Sequence, residues 1–319
     1  MLKKMTVAVP VAMVWTNPDS PRPMDGPVLK NPADIRAWLG CMTLDDKLDL
    51  CLANRVQTQV LYGASVLVTE ESDGWSKVLV SLQGTRKDPL GYPGWVPSCQ
   101  LVEAVEAPVD SQRAVVIADK TWLFKDSTLS EPLIELSYLT SLPWLKQSGD
   151  VVSVQTPTGM GYVKADDVRL RDDVGDGSGN GNGNVFQAPQ AGVKHIGQAI
   201  VEQGQRFLGL PYLWGGMSSY GFDCSGFAYS MHKYFGIIIP RDASDQAKQG
   251  TLVEKEALEP GDLLFFAYDE GKGAIHHVGI YAGNNQMLHS PETIKSIELI
   301  DMSTMKLAKE HCVSRRYWK

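Results

Sequence analysis

The sequence predicts a multidomain chain, two small all-β units followed by an α+β domain. Three observations carry this. The first half consists of short β-type runs cut by turn signals such as Asp73-Gly74 and Pro93-Gly94. A Gly-aromatic-Val triplet occurs twice, as Gly94-Trp95-Val96 and Gly161-Tyr162-Val163, each after an alternating strand, so one unit is repeated. In the last third, helical periodicity comes before the strands instead of alternating with them, which favours α+β over a parallel sheet. The 319 residues exceed one ordinary domain, and 43% hydrophobic with 21% charged residues is a globular composition.

Residues 1–108 form the first predicted unit. Its β-type runs are Val7–Trp15, Val56–Val60, Ser65–Thr69, Trp75–Leu82 and Tyr92–Pro97. Asn31 to Leu52 carries apolar residues at helical spacing and is expected as a helix inserted between strands. Residues 109–172 repeat the β pattern on a smaller scale. Asp172 to Asn184 alternates glycine with Asp, Ser and Asn and cannot bury a core, so residues 173–190 are expected as a linker. Residues 191–319 form the last unit. Val193, Ile196, Ile200 and Phe207 mark one helix face, Asp242 to Lys248 a short helix, and Leu263–Tyr268, His277–Ala282 and Gln286–His289 strands.

The net charge is -7 with no basic tract, which argues against nucleic acid and anionic membrane as partners. The five cysteines (41, 51, 99, 224, 312) show no metal-binding spacing and are odd in number, which fits reduced thiols in a cytosol. Lys3-Lys4 and the apolar run after it have the look of a short secretion signal. Pro10 and the missing small-x-small cleavage pattern favour a strand instead. Secretion remains the alternative.

The chemistry concentrates at Cys224. Asp223-Cys224-Ser225-Gly226 follows a loop rich in glycine and aromatics and opens a helical pattern, with Phe227, Ala228, Met231, Tyr234 and Phe235 on one face. Cys224 then sits in the first helical turn, where free amides and the helix dipole favour a thiolate. A buried structural thiol is the ordinary alternative. Downstream, His277 opens one strand and His289 closes the next. A cysteine with two histidines supplies nucleophile, base and orienting group. Both histidines must share a sheet face, so the turn between them has to keep parity. A three-residue turn, Gly283 to Asn285, would do so by setting His289 opposite Gly279. His276 competes for the base role, but neighbouring strand residues point to opposite faces. Zinc on Cys224, His277 and His289 lacks an ordered fourth ligand and would quench the nucleophile, so neither metal nor other cofactor is expected.

Asp223 to Gly226, Pro240-Arg241 to Gln246, Pro260 to Phe266, His277 to Tyr281 and His289-Ser290 stand in the order of the NlpC/P60 cysteine peptidases, which this stretch resembles. The resemblance implies a papain-like α+β catalytic domain and two SH3-like barrels before it. It also implies Cys224 as nucleophile and His277, directly before Val-Gly-Ile-Tyr, as base, with His289 orienting it. The layout is similar to the γ-D-glutamyl-L-diamino acid dipeptidyl-peptidases of murein-peptide recycling. That implies cleavage after D-Glu in L-Ala-γ-D-Glu-diamino-acid stem peptides. By the same resemblance Tyr212, Trp214 and Ser225 line the pocket with Tyr92 lent by the first barrel. Asp242 has two readings, a carboxylate for the substrate's free ammonium or a helix N-cap. Ala243 departs from the Ser seen in relatives. The rivals are a secreted endopeptidase acting on intact wall and a non-catalytic wall-binding protein.

Overall fold

A computed structural model describes residues 2–104, 112–171 and 195–318. The predicted linker at 173–190 and the 108/109 boundary lie outside the described residues, as does Val193.

The first sheet has seven strands: β1 Lys3–Val7, β2 Val11–Trp15, β3 Val56–Leu61, β4 Ser65–Ser72, β5 Trp75–Val80, β6 Tyr92–Pro97 and β7 Leu101–Glu103. The second has seven more: β8 Arg113–Val116, β9 Lys120–Phe124, β10 Pro132–Ser137, β11 Ser141–Ser148, β12 Val151–Thr156, β13 Gly159–Lys164 and β14 Val168–Arg171. Their spatial orders are β3-β2-β6-β5-β4-β1-β7 and β10-β9-β13-β12-β11-β8-β14. Adding seven to every number of the first gives the second, so the repeat is structural.

The two Gly-aromatic-Val triplets occupy the same positions of the equivalent strands β6 and β13. Their glycines have one physical cause. A Cβ on Gly94 would stand 2.4 Å from Val14 Cγ1, and one on Gly161 2.8 Å from Leu123 Cδ1. Val14 and Leu123 lie in the equivalent strands β2 and β9, which pass too close for any side chain at the crossing. The following Val96 and Val163 are buried in the two cores, beside Val14 and Val78 in the first and Leu123 and Val154 in the second.

Two expectations need correction. Val7–Trp15 is not one strand, because the chain leaves β1 at Val7 and re-enters as β2 after Pro10, whose missing N–H cannot join a ladder. Asn31–Leu52 is not one helix. Ile35–Cys41 (α1) and Leu44–Leu52 (α2) are separated where Thr43 caps the second, its hydroxyl oxygen accepting from the Asp46 N–H while Asp46 returns a bond to the Thr43 N–H. Asp73 and Gly74, both with positive φ, make the tight turn between β4 and β5, as the sequence indicates.

The described chain forms two compact units. The first holds both seven-stranded sheets and the Ser218–Tyr220 turn. The second holds the rest of the C-terminal segment together with the Gln83–Pro89 loop. In this second unit α3 Ile196–Gln205, α4 Cys224–Tyr234 and α5 Ala243–Gln246 precede most of the strands. After the short strands β15 Met217–Ser218, β16 Gly221–Phe222 and β17 Thr251–Leu252 come β18 Leu263–Ala267, β19 Ile275–Gly283, β20 Gln286–His289, β21 Glu298–Asp301 and β22 His311–Arg316. The main sheet is ordered β17-β22-β18-β19-β20-β21 and is antiparallel at every described pairing. The α4 helix, which opens at Cys224, packs on β19 and β20. The strands β21 and β22 carry little alternation and were not legible in the sequence.

Candidate active site

The helix that carries Cys224 is fixed at its first residue. Asp223 is the N-cap, and its Oδ1 accepts the Gly226 N–H at 2.7 Å, a cap worth about 1 kcal/mol. Asp223 is also paired with Arg241, 1% exposed, which donates Nη2 to Oδ2 at 2.6 Å and Nη1 to Oδ1 at 3.1 Å. Arg241 Nη1 also donates to Ser225 Oγ at 2.9 Å, and that hydroxyl donates to Asp223 Oδ1 at 3.2 Å. Gln246 Nε2 closes the cluster by donating to the carbonyls of Ser225 and Pro240. A buried guanidinium paired with a carboxylate and a hydroxyl leaves few alternative geometries. Arg241, Asp223 and Gln246 were visible only as motif letters. Nothing local in the sequence says that they hold one another.

The hairpin places the histidines. Asn284 and Asn285 both have positive φ and form a two-residue turn closed by the pair Gly283↔Gln286. The register then shifts, so that Ala282 bulges and Tyr281↔Met287 and Ile280↔Leu288 follow. The expected three-residue turn is therefore a two-residue turn plus one bulged residue. Parity is the same, because the register continues to set His289 opposite Gly279. His277 Nε2 and His289 Nδ1 are 2.8 Å apart, with their ring planes at 75°. The side chain of His276 goes the other way, stacking on Tyr268 with centroids 4.2 Å apart and meeting Glu310 Oε2 through Nε2 at 2.8 Å.

Cys224 is half-buried at the first residue of α4, which packs on β19, the strand that carries His277. Burial first, then Asp223, push the thiol up to about 12, against the opposing pull of the Val278 and Ser225 N–H groups and Arg241. Burial and Asp223 thus oppose the thiolate that the helix start favours. Burial outweighs the dipole because removing a charged sulfur from water costs more than a helix terminus returns. His277 is held well below 6.5 by burial, then by His289, His276 and Lys295; His289 is held at about 4 by burial and Lys295. Both shifts favour the neutral thiol and the neutral imidazole over an ion pair. Alkylation of Cys224 by iodoacetamide in the free enzyme is expected to be slow at neutral pH and to keep rising into the alkaline range. A rate already at its plateau in mildly acidic solution would instead reveal a thiolate–imidazolium pair.

Asp242 stands at the N-cap of α5, but its side chain makes no capping bond. Its Oδ2 lies 3.4 Å from the Nζ of Lys87. Lys87 reaches it because the 83–89 loop is pinned to the same segment. The buried Asp245 carboxylate accepts from the Arg86 N–H at 3.0 Å, from Arg86 Nε, and from Thr85 Oγ1 at 3.4 Å. Arg241 N–H also donates to the Gly84 carbonyl at 2.9 Å. No sequence signal couples residues so far apart.

Tyr212 is nearly buried and Trp214 half-buried, both in the loop leading into α4, and the Tyr212 N–H donates to the Lys295 carbonyl. Tyr92 is 2% exposed in the core of the first sheet. Of the remaining histidines, His195 is exposed, His311 Nε2 is 2.9 Å from Ser314 Oγ, and His232 is fully buried with Nδ1 2.8 Å from the Ala228 carbonyl.

Comparison with known proteins fits this geometry. Residues 209–316 match the NlpC/P60 family and residues 116–170 the YKFC SH3b2 domain. Over 311 residues the chain is 46% identical to the gamma-D-glutamyl-L-lysine dipeptidyl-peptidase of Bacillus subtilis (strain 168), covering 98% of each chain. It is 40% identical to the protein of the same name from Bacillus cereus, over 98% of this chain and 91% of that one. The crystal structure of an NlpC/P60 family protein from Bacillus cereus superimposes with a TM-score of 0.90 at 37% identity, over 99% of this chain and 100% of that one. With the likeness running through the SH3b-like sheets and the α+β domain alike, the chain belongs to the NlpC/P60 family.

Proposed function

We propose that this protein is a cysteine peptidase that hydrolyses the bond between γ-D-Glu and the diamino acid of murein stem peptides bearing a free N-terminal L-Ala, releasing L-Ala-D-Glu. Cys224 attacks the γ-carbonyl of D-Glu. Because Nε2 of His277 is engaged with His289, its Nδ1 takes the thiol proton as the C–S bond forms. The same proton then passes to the leaving amine as the C–N bond breaks, leaving a thioester on Cys224. Water, deprotonated by His277, attacks the thioester, and the thiol is regenerated. The direction of both shifts suits this sequence, since the proton moves only as the sulfur attacks.

The observation that carries the dipeptidyl reading is the Asp242 carboxylate, which leaves its helix uncapped and meets an ammonium. The substrate's L-Ala ammonium is a group of the same chemistry. The two near-full-length relatives named as gamma-D-glutamyl-L-lysine dipeptidyl-peptidases support the same substrate class. Tyr212, Trp214 and Ser225 line the pocket in this reading. The enzyme works in a cytosol on peptides already released from the wall, a placement supported by free thiols at all five cysteines.

Mass analysis of products from free tripeptide, N-acetylated tripeptide and intact sacculi tests the proposal. Cleavage of free tripeptide alone is expected. Sacculi cut as readily would make it a wall endopeptidase, and no cleavage would make it a non-catalytic wall-binding protein. Asp242→Asn is expected to lower kcat/KM for free tripeptide by about 10- to 100-fold, the worth of one hydrogen bond between charged groups, mainly through KM. If wild type cuts acetylated and free peptide equally well, Asp242 does not read the amine.

A further inference from the structure

The hydrogen-bonded chain of the site does not end at His289. The strands β20 and β21 pair His289 directly with Glu298. Nε2 of His289 stands 3.4 Å from Oε1 of Glu298, with the imidazole 3% and the carboxylate 39% exposed. Among the described residues this Nε2 has no hydrogen bond of good geometry, so a buried ring nitrogen faces a carboxylate and is not yet closed upon it.

The proton count along the chain is constrained. For His277 to accept the thiol proton at Nδ1, its own proton must be on Nε2, donated to His289 Nδ1. His289 Nδ1 is then bare, and its proton must be on Nε2, the atom facing Glu298. The opposite tautomer of His289 would put two N–H groups against each other at 2.8 Å. We infer that Glu298 is a positioning residue: its carboxylate accepts the Nε2–H of His289, fixes that tautomer, and through it keeps Nδ1 of His277 free as the base. The inference rests on the Cys224, His277, His289 reading given above.

The carboxylate has a second effect. The cation facing the pair is Lys295, which with burial lowers both imidazoles, and His276 lowers His277 further. Lys295 is partly offset by Glu292 at 3.1 Å. Glu298 is the anion placed on the histidine chain itself, and it stabilises the imidazolium formed when the thiol gives up its proton. Removing it weakens the base and lowers the imidazole pKa further.

The test combines two readouts. In the resting 15N-labelled protein, long-range 15N–1H spectra are expected to show His289 protonated at Nε2 and bare at Nδ1. In Glu298→Ala that population should fall, with Glu298→Gln intermediate, since the amide oxygen still accepts but carries no charge. With free tripeptide, Glu298→Ala should lose about 10-fold in kcat with KM within about twofold, and the acid limb of kcat should move to lower pH. Glu298→Gln, nearly isosteric, serves if the alanine variant unfolds. Wild-type His289 protonated at Nδ1, an unchanged kcat, or a lower kcat with an unmoved acid limb would each overturn the inference. His289→Ala separates the two readings: full activity there sinks the triad itself, whereas an inactive His289→Ala beside an unaffected Glu298→Ala sinks only the role of Glu298.

Discussion

Cys224→Ala is expected to lower kcat for free tripeptide by about a millionfold, while the fold and the affinity for substrate persist. The size follows from the step removed: without the sulfur there is no thioester, and hydrolysis must proceed by water alone. The fold should survive because the helix is held by neighbours of the nucleophile and not by the thiol. Asp223 caps it, Arg241 pins Asp223, and the buried Phe227, Ala228 and Met231 pack its inner face. Cys224→Ser is expected to be nearly as inactive, since a hydroxyl beside a neutral imidazole of lowered basicity is a poorer nucleophile than the thiol it replaces. The check is single-turnover kinetics with a matched thermal midpoint and equilibrium binding. Turnover retained in Cys224→Ala would remove the thiol mechanism.

His277→Ala comes next, with an expected loss of about a thousandfold or more in kcat, the usual worth of a positioned general base. His276→Ala is its control and should stay within about twofold, because that ring stacks on Tyr268 and bonds Glu310 on the opposite side of the strand. The pH profile carries the sign. His277 works only when unprotonated, and its pKa is held below 6.5 by burial, so activity should persist into acid solution and fall only once His277 protonates. An acid limb above 6.5 would mean that the base is raised, as a thiolate partner would raise it. A reversal in which His276→Ala is the damaging variant would reassign the base.

The sequence by itself determined a good deal. Repeated Gly94-Trp95-Val96 and Gly161-Tyr162-Val163 announce two copies of one β unit, because a crossing of strands that admits no Cβ leaves a glycine in each copy. The helix opening at Cys224 was legible from the spacing of Phe227, Ala228 and Met231, since one apolar face must be buried. The shared face of His277 and His289 followed from strand parity, although the chain reaches it through an Asn284-Asn285 turn and a bulge at Ala282. Bulges of this kind cost little locally and leave no clear residue signature.

Only the tertiary structure decided the rest. The thiol is pushed up because burial, a property of everything packed around Cys224, opposes the helix terminus that the sequence displays. Asp242 has the residue type and position of an N-cap, yet its carboxylate meets Lys87, carried in on a loop that Asp245 anchors. Glu298 faces His289 because two strands pair in one register. Periodicity and capping are local and can be read along the chain. Desolvation and charge pairing depend on which distant residues folding brings within a few ångströms, and that information is in the packing.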